Sequence, residues 1–220
     1  MIKKSLFIFA LIIISCSKKD VFPVEEQVII NPIAKCENGL AGEFPCNDYD
    51  LLTHISLEEL AGADTVGNDS WGWVDSITNK EYAIMCTNKG VSFIDITDPA
   101  DAKILGFLKS RTENSLWRDV KIHNDFAYIV SEAPNHGMQI FNLNKLRGIT
   151  FIPVEFTADK EYTNFGSAHN IVINEDTGYA YPVGTTRTGT YKGGPLFINL
   201  ENPFKPVDEG GFENYSHDAQ

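Results

Sequence analysis

The chain has few basic residues and lacks the short motifs of common catalytic folds. Its 18 Lys and Arg stand against 30 Asp and Glu, which gives a net charge of −12 over 220 residues. Such an acidic surface repels phosphate backbones and argues against a nucleic-acid partner. No GxSxG, Walker loop, dinucleotide fingerprint or HExxH occurs, which removes the usual sequence support for esterases, nucleotide enzymes and zinc peptidases. Helical periodicity is nearly absent as well; only residues 57–60 indicate a turn of helix.

Long apolar runs are also missing. The longest covers residues 6–14 and follows Lys3 and Lys4. A membrane-spanning helix needs about 20 residues, so the run predicts a signal peptide over residues 1–15 rather than a transmembrane anchor.

The signal peptide ends in Ile-Ile-Ser-Cys, which resembles a bacterial lipobox. The resemblance implies cleavage before Cys16, lipidation of its thiol and amine, and a tether over residues 16–35. Several acyl chains together give stable membrane attachment, so we expect a protein anchored in the bacterial cell envelope. By the same resemblance, Ser17 in place of Asp after the cysteine implies the outer rather than the inner membrane, with the protein facing the periplasm or the exterior. The alternative is an ordinary secretory signal followed by a chance cysteine.

Cysteine is scarce too, with four in the chain. Cys36 and Cys46 flank a loop containing Gly and Pro, and in an oxidising compartment the pair predicts a disulfide. A zinc site on the same pair is the alternative, although no second close pair exists. Cys86 lies in an apolar strand and is predicted to be buried. Residues 36–70 then form a disulfide-linked N-terminal segment, in which residues 51–56 are a possible closing strand.

What the sequence does have is a repeated pattern. Residues 90–105 (GVSFIDITDPADAKIL), 136–147 (HGMQIFNLNKLR) and 194–207 (GPLFINLENPFKPV) each hold a glycine, an alternating strand and a turn. A preceding strand carries Ala83, Ala127 or Ala180, at intervals of 44 and 53 residues. This period predicts an all-β fold, a β-propeller of four-stranded blades.

The predicted blades occupy residues 71–220. The first has strands at 71–76, 81–87, 90–96 and 103–109; the second at 118–122, 126–131, 137–143 and 151–157; the third at 169–174, 179–184, 194–200 and 205–212. Residues 216–220 resemble the start of a fourth. Three blades leave the ring incomplete, so we interpret the chain as an N-terminal fragment of a longer protein.

Several segments together carry a resemblance to a known family. They are the lipobox, CENGLAGEFPCNDYDLL, NDSWGWVDSITNKEYAI, GVSFIDITDP, SLWRDVKIHNDFAYIVSEAPNHGMQIFNL, AHNIVINEDTGYAY and YSHDAQ. Together they resemble the choice-of-anchor B family, whose units resemble the LVIVD repeat. The resemblance covers residues 36–220 and implies an extracellular propeller, longer than this chain, that is held by varied anchors. It implies no established activity.

Residues before the inner strands, and in the loops between second and third strands, should meet at one face of a propeller. The candidate site residues are Trp73, Trp117, Arg118, Asp119, Glu132, His136, His169, Asn170, His217 and Asp218.

Three hypotheses fit these residues. His169 and His217, with Asp119 or alternatively Glu132 or Asp218, suit a divalent metal and a metal-dependent hydrolase or lyase. The second hypothesis is a ligand-binding mouth that uses Trp73, Trp117, Arg118 and His136. In the third, the polar residues brace neighbouring blades through buried hydrogen bonds. We favour a binding or scaffolding module for a protein, small-molecule or glycan ligand.

Overall fold

The computed structural model of the protein describes residues 31–220. The predicted signal peptide, the lipidation site Cys16 and most of the tether lie outside the described residues. Within the described range, no helix is both long and apolar enough to cross a membrane. The described chain is all-β, with one short α-helix.

The N-terminal segment forms a small antiparallel sheet. Its three strands are β1 (Cys36–Glu37), β2 (Leu40–Ala41) and β3 (Phe44–Pro45). Asn38 and Gly39 turn the chain between the first two with positive φ angles of 54° and 83°, as a tight two-residue hairpin requires. A disulfide joins Cys36 to Cys46, which confirms the predicted pair.

The predicted helical turn is present as α1 (Leu57–Ala61). It begins with a capping box, because Ser56 Oγ accepts from the Glu59 amide while Glu59 accepts from the Ser56 amide. Residues 51–56, the possible closing strand, form no regular strand among the described residues; Leu51 makes a single antiparallel bridge to Ala34. Their pairing with a further blade stays a prediction.

The first large sheet is an antiparallel meander. Its strands are β4 (Gly67–Val74), β5 (Glu81–Thr87), β6 (Gly90–Asp95) and β7 (Lys103–Lys109), paired in that order. These bounds agree with the prediction to within two residues, except that β4 starts at Gly67 rather than Trp71. The extra residues contain a register shift between Gly67 and Ser70, which interrupts the alternation from which the strand was predicted.

The second sheet uses a different outer strand from the one predicted. Strands β8 (Arg118–His123), β9 (Phe126–Ser131) and β10 (Met138–Asn142) form its meander; after them come β11 (Val154–Phe156) and β12 (Lys160–Tyr162). β12 completes this sheet, whereas β11 pairs in parallel with β7 of the first sheet.

The prediction that residues 151–157 close the second blade was therefore wrong. Two features explain why β11 pairs with the first sheet. At Gly106 of β7 a Cβ atom would lie 2.2 Å from the Val154 carbonyl oxygen, so the close pairing needs a residue without a side chain. Phe156 packs edge-on against Phe93 and Phe141, with ring centroids 5.6 and 5.1 Å away, and so helps fill the space between two sheets.

The third sheet is again a four-stranded meander. Its strands are β13 (Asn170–Asn174), β14 (Tyr179–Val183), β15 (Leu196–Asn199) and β16 (Val207–Gly211), paired in that order. All four lie within the predicted ranges.

The second sheet is packed on both faces by its neighbours. Ile129 and Phe141 belong to the core shared with the first sheet, whereas Tyr128 and Ile140 belong to the core shared with the third. Because successive strand residues point to opposite faces, a strand covered on both sides reads as continuously apolar. The inner strands β4, β8 and β13 are neighbours in that order. None of the four sheets closes on itself.

Candidate functional site

One polar side chain on each inner strand accepts a hydrogen bond from a backbone amide further along the chain. For β4 and β8 that amide belongs to the next inner strand, and for β13 it belongs to Ala219, which lies outside the strands. Asp69 Oδ2 accepts from the Val120 amide at 3.2 Å, and Asp119 Oδ2 accepts from the Ile171 amide at 2.7 Å. Asn170 Oδ1 accepts from the Ala219 amide at 3.4 Å. Each donor lies 51, 52 or 49 residues after its acceptor, so the contact follows the repeat. We call these three hydrogen bonds the inner-strand braces.

Asp119 is the most heavily engaged of the brace residues. Its Oδ2 also accepts from Asn170 Nδ2 at 2.7 Å, and its Oδ1 accepts from Lys121 Nζ at 2.8 Å. Burial raises the pKa of the Asp119 carboxyl to about 6, and the neighbouring Asp69 carboxyl raises it further. Both carboxylate oxygens are thus occupied, and the structure does not place Asp119 with the histidines as a metal ligand.

Arg118 and His136 are buried together rather than exposed at a mouth. The guanidinium donates to the Thr87 carbonyl at 3.1 Å and to Ser110 Oγ at 2.8 Å. It also lies 3.0 Å from His136 Nε2. Since arginine only donates, this nitrogen of His136 accepts, and Nδ1 donates to the Gly137 carbonyl at 3.1 Å. Burial lowers the pKa of His136 to about 4, with the Arg118 charge acting in the same direction.

Trp73 lies at the other end of the inner strands from Trp117. It is 6 % exposed, and its indole N–H donates to Asp125 Oδ1, in the turn that follows β8. Trp117 lies before β8.

The first-sheet counterpart of Asp119 is Asp69, because both side chains accept from a backbone amide of the next inner strand. The sequence analysis missed this residue. Aligning NDS at 68–70 with RDV at 118–120 and HNI at 169–171 would have found it.

The remaining candidates meet at the start of the inner strands. His169 Nδ1 lies 2.7 Å from Glu132 Oε1, and the His169 and His217 rings stack with centroids 4.0 Å apart. Nδ1 of His217 lies 2.7 Å from Asp218 Oδ2. The Trp117 ring lies 5.6 Å from that of His169. We call Trp117, Glu132, His169, His217 and Asp218 the histidine cluster.

Backbone contacts set the histidine cluster in place. The His169 amide donates to the Val183 carbonyl at 3.0 Å, and the Gly184 amide donates to the Ser216 carbonyl at 2.5 Å. Gly184 has a φ of +59°, and a Cβ there would lie 2.5 Å from His169 Cβ. A glycine at this position thus supplies both the left-handed turn and the space for the histidine pair.

The cluster combines an exposed aromatic surface with ordered polar atoms. The Trp117 side chain is half exposed, at 50 %. Next to His217, the Arg187 guanidinium lies 3.7 Å from the centroid of the Tyr215 ring, and that ring lies 6.4 Å from His217. Together these groups offer stacking, hydrogen-bond donors and acceptors, and charges of both signs.

The cluster also brings potential metal ligands together. One ligand atom each from Glu132, His169 and His217 lies within 4.8 Å of the others. The predicted metal set named His169 and His217 with Asp119; the structure joins the two histidines and supplies Glu132 as the nearby carboxylate. Asp218 also borders a cleft of about 880 Å³ that runs along the inner strands past Asn170 and Lys121.

Comparison with known proteins adds no identity. No family model matches the chain, and neither does any curated protein. The case for a function therefore rests on the histidine cluster and the inner-strand braces.

Proposed function

We propose that the chain is part of an LVIVD-repeat β-propeller of the choice-of-anchor B type, with the three large sheets as consecutive blades. We further propose that it acts outside the cytoplasm as a binding or scaffolding module, with the histidine cluster as its recognition surface.

The arrangement of the inner strands supports the propeller. Each large sheet holds four antiparallel strands in chain order, beginning at an inner strand; the first sheet also carries the parallel strand β11 at its outer edge. The inner strands are neighbours in chain order. The braces from Asp69, Asp119 and Asn170 repeat one contact at the blade period. In a propeller such contacts recur because each blade meets the next at the same angle around one axis.

Half-exposed Trp117 above ordered polar groups is the observation that carries the binding function. Large aromatic side chains supply contact area at low entropic cost, and they dominate recognition surfaces. Glu132 and His169 beside Trp117 are already hydrogen-bonded, so a ligand would meet a preorganised surface. A sugar ring or a peptide with polar groups suits this combination of stacking and hydrogen bonding.

A comparison of two variants tests the binding function. The purified chain would be applied to arrays of glycans and of peptides, and every ligand found would be titrated against Trp117→Ala and Phe151→Ala. Phe151 is 87 % exposed and lies outside the histidine cluster, so it controls for loss of surface aromatic area. We expect Trp117→Ala to weaken binding about 10-fold or more, with Phe151→Ala unchanged. Equal effects of both, or no ligand that depends on Trp117, would contradict the proposal.

The proposed place of action is the bacterial envelope, through a lipid on Cys16. Growth with an alkyne-tagged fatty acid should label the chain, and Cys16→Ser should abolish both the label and recovery in the membrane fraction. Labelling that persists in Cys16→Ser would refute the anchor.

A further inference from the structure

We propose that Glu132, His169 and His217 bind one divalent transition-metal ion of the zinc class, with Asp218 orienting both imidazoles. This inference does not depend on the identity of any organic ligand of the histidine cluster.

The distances suit such an ion. Zinc bonds of about 2.0–2.2 Å place tetrahedral ligand atoms roughly 3.3–3.5 Å apart. Here the three ligand atoms already lie within 4.8 Å of one another, so an adjustment of about 1 Å per side chain completes the site. The side chains of Glu132 and His217 are 38 % and 56 % exposed, which leaves them free to make it.

Asp218 occupies the position of an orienting carboxylate. Its Oδ2 lies 2.7 Å from Nδ1 of His217, and its Oδ1 lies 3.6 Å from Nε2 of His169. The opposite nitrogen of His169, Nδ1, faces Glu132. A metal-bound imidazole commonly donates its other N–H to a carboxylate, which fixes the tautomer and raises ligand basicity. At 2.7 Å Asp218 already meets His217 in this way, and it lies close enough to His169 to do the same once the 3.6 Å separation shortens.

Charge also favours a cation at this point. Within residues 31–220, the ion pairs of Glu132 and Asp218 involve only the two histidines, and neither carboxylate is paired with lysine or arginine. Two carboxylates and two imidazoles gathered on one fixed backbone frame form a donor set of the kind that zinc, manganese and iron accept.

Three protein ligands would leave a coordination position open. Structural zinc sites are usually closed by four protein ligands, whereas sites with three bind water or substrate at the fourth. The proposed site is of the open kind and lies beside exposed Trp117, so a bound metal would be accessible to molecules that reach the histidine cluster.

Zinc titration of the chelator-treated, dialysed chain tests the site. Calorimetry should show one Zn²⁺ per chain, and Co²⁺ should give a visible absorption band that Zn²⁺ displaces. We expect Glu132→Gln, His169→Gln and His217→Gln each to weaken Zn²⁺ binding by at least about 100-fold, and Asp218→Asn by about 10–100-fold. His123→Gln, which removes a histidine outside the cluster, should leave affinity unchanged.

A thermal readout separates loss of the site from loss of the fold. Zn²⁺ should raise the melting temperature of the wild-type chain and of His123→Gln, because a ligand that binds only the folded state stabilises it. The shift should vanish in Glu132→Gln, whose metal-free melting temperature should match the wild type because the side chain is partly exposed. No stoichiometric Zn²⁺ binding in the wild type, or binding unchanged by Glu132→Gln and His217→Gln, would overturn the proposal.

Discussion

Replacing Asp119 with alanine tests the inner-strand braces most directly. Asp119 is 6 % exposed, and its Oδ2 accepts from the Ile171 amide and from Asn170 Nδ2, both at 2.7 Å. Its Oδ1 accepts from Lys121 Nζ at 2.8 Å. Alanine removes all of these acceptors at once, in a place where the second and third sheets meet.

The expected loss of stability follows from what is left unpaired. Ile171 is fully buried, and a buried N–H without an acceptor costs about 1–3 kcal/mol. Lys121 loses its 2.8 Å ion pair and keeps the Val120 carbonyl at 3.0 Å and the more distant Asp69 carboxylate at 3.4 Å, which adds on the order of 1 kcal/mol. Asn170 is partly exposed and can bond water instead, so it contributes little. The free energy of unfolding should fall by about 2–4 kcal/mol.

Asp119→Asn is the matched control. An amide oxygen can still accept from the Ile171 N–H, as Asn170 does from the Ala219 N–H one sheet further along. We expect a loss below about 1 kcal/mol. Urea unfolding followed by circular dichroism measures both variants. With a slope of about 2 kcal/mol per molar, the alanine midpoint should fall by about 1–2 M.

The loss of stability caused by Asp119→Ala should depend on pH. Burial raises the pKa of Asp119 to about 6, above the value of about 3.9 for Asp in an unfolded chain, so between these two values the folded state binds more protons than the unfolded state. The stability that this group contributes is therefore highest at low pH and falls as the pH rises through 6. Asp119→Ala should cost more at pH 5 than at pH 7.5. Equal losses for alanine and asparagine, or no loss for alanine, would refute the brace.

Three further predictions concern buried groups. Burial, and then the charge of Arg118, lower the pKa of His136 to about 4. The stability that neutral His136 contributes is therefore lost as the pH falls from 6.5 to 4. His136→Gln should flatten this part of a plot of the urea midpoint against pH. Two 2.6 Å hydrogen bonds from Arg147 lower the pKa of Asp75; Arg147→Lys should lower the melting temperature at pH 7, by an amount that shrinks below pH 3.8. Burial raises the pKa of the Cys86 thiol, so peptide mapping should find it alkylated by iodoacetamide in urea and not in the native chain.

Local sequence signals were sufficient for most strands of the three sheets. Ala127 and Ala180 mark fully buried positions, and the alternation around them gave the ranges of β9 and β14. Asn124 and Asp125 both have positive φ, at 46° and 60°, which is the two-residue turn that their residue types predict. These signals work because each hairpin is formed by residues close together in the chain.

Sheet membership was harder to predict than strand formation. Residues 151–157 are apolar and do contain a strand, β11, but nothing in that segment tells which sheet edge it joins. The deciding features are distant in sequence: the missing side chain at Gly106, and the aromatic pair Phe93 and Phe141 that receives Phe156. Long-range pairing of this kind is set by tertiary packing, which overrides local pattern.

In the candidate site, too, local sequence signals predicted some features and missed those that depend on contacts between distant residues. The repeat places His169 and His217 at equivalent positions, and in the structure their rings stack with centroids 4.0 Å apart. It also made Asp119 and Glu132 look interchangeable as carboxylates, but Asp119 lies within β8, where its oxygens satisfy a backbone N–H of the neighbouring strand. Glu132 follows the end of β9, and within residues 31–220 its carboxylate is hydrogen-bonded only to His169. The predicted strand bounds (118–122 and 126–131) already placed Asp119 inside a strand and Glu132 just beyond one. What local pattern could not show is that the Ile171 amide, 52 residues later, donates to the Asp119 carboxylate, whereas Glu132 stays available to a ligand.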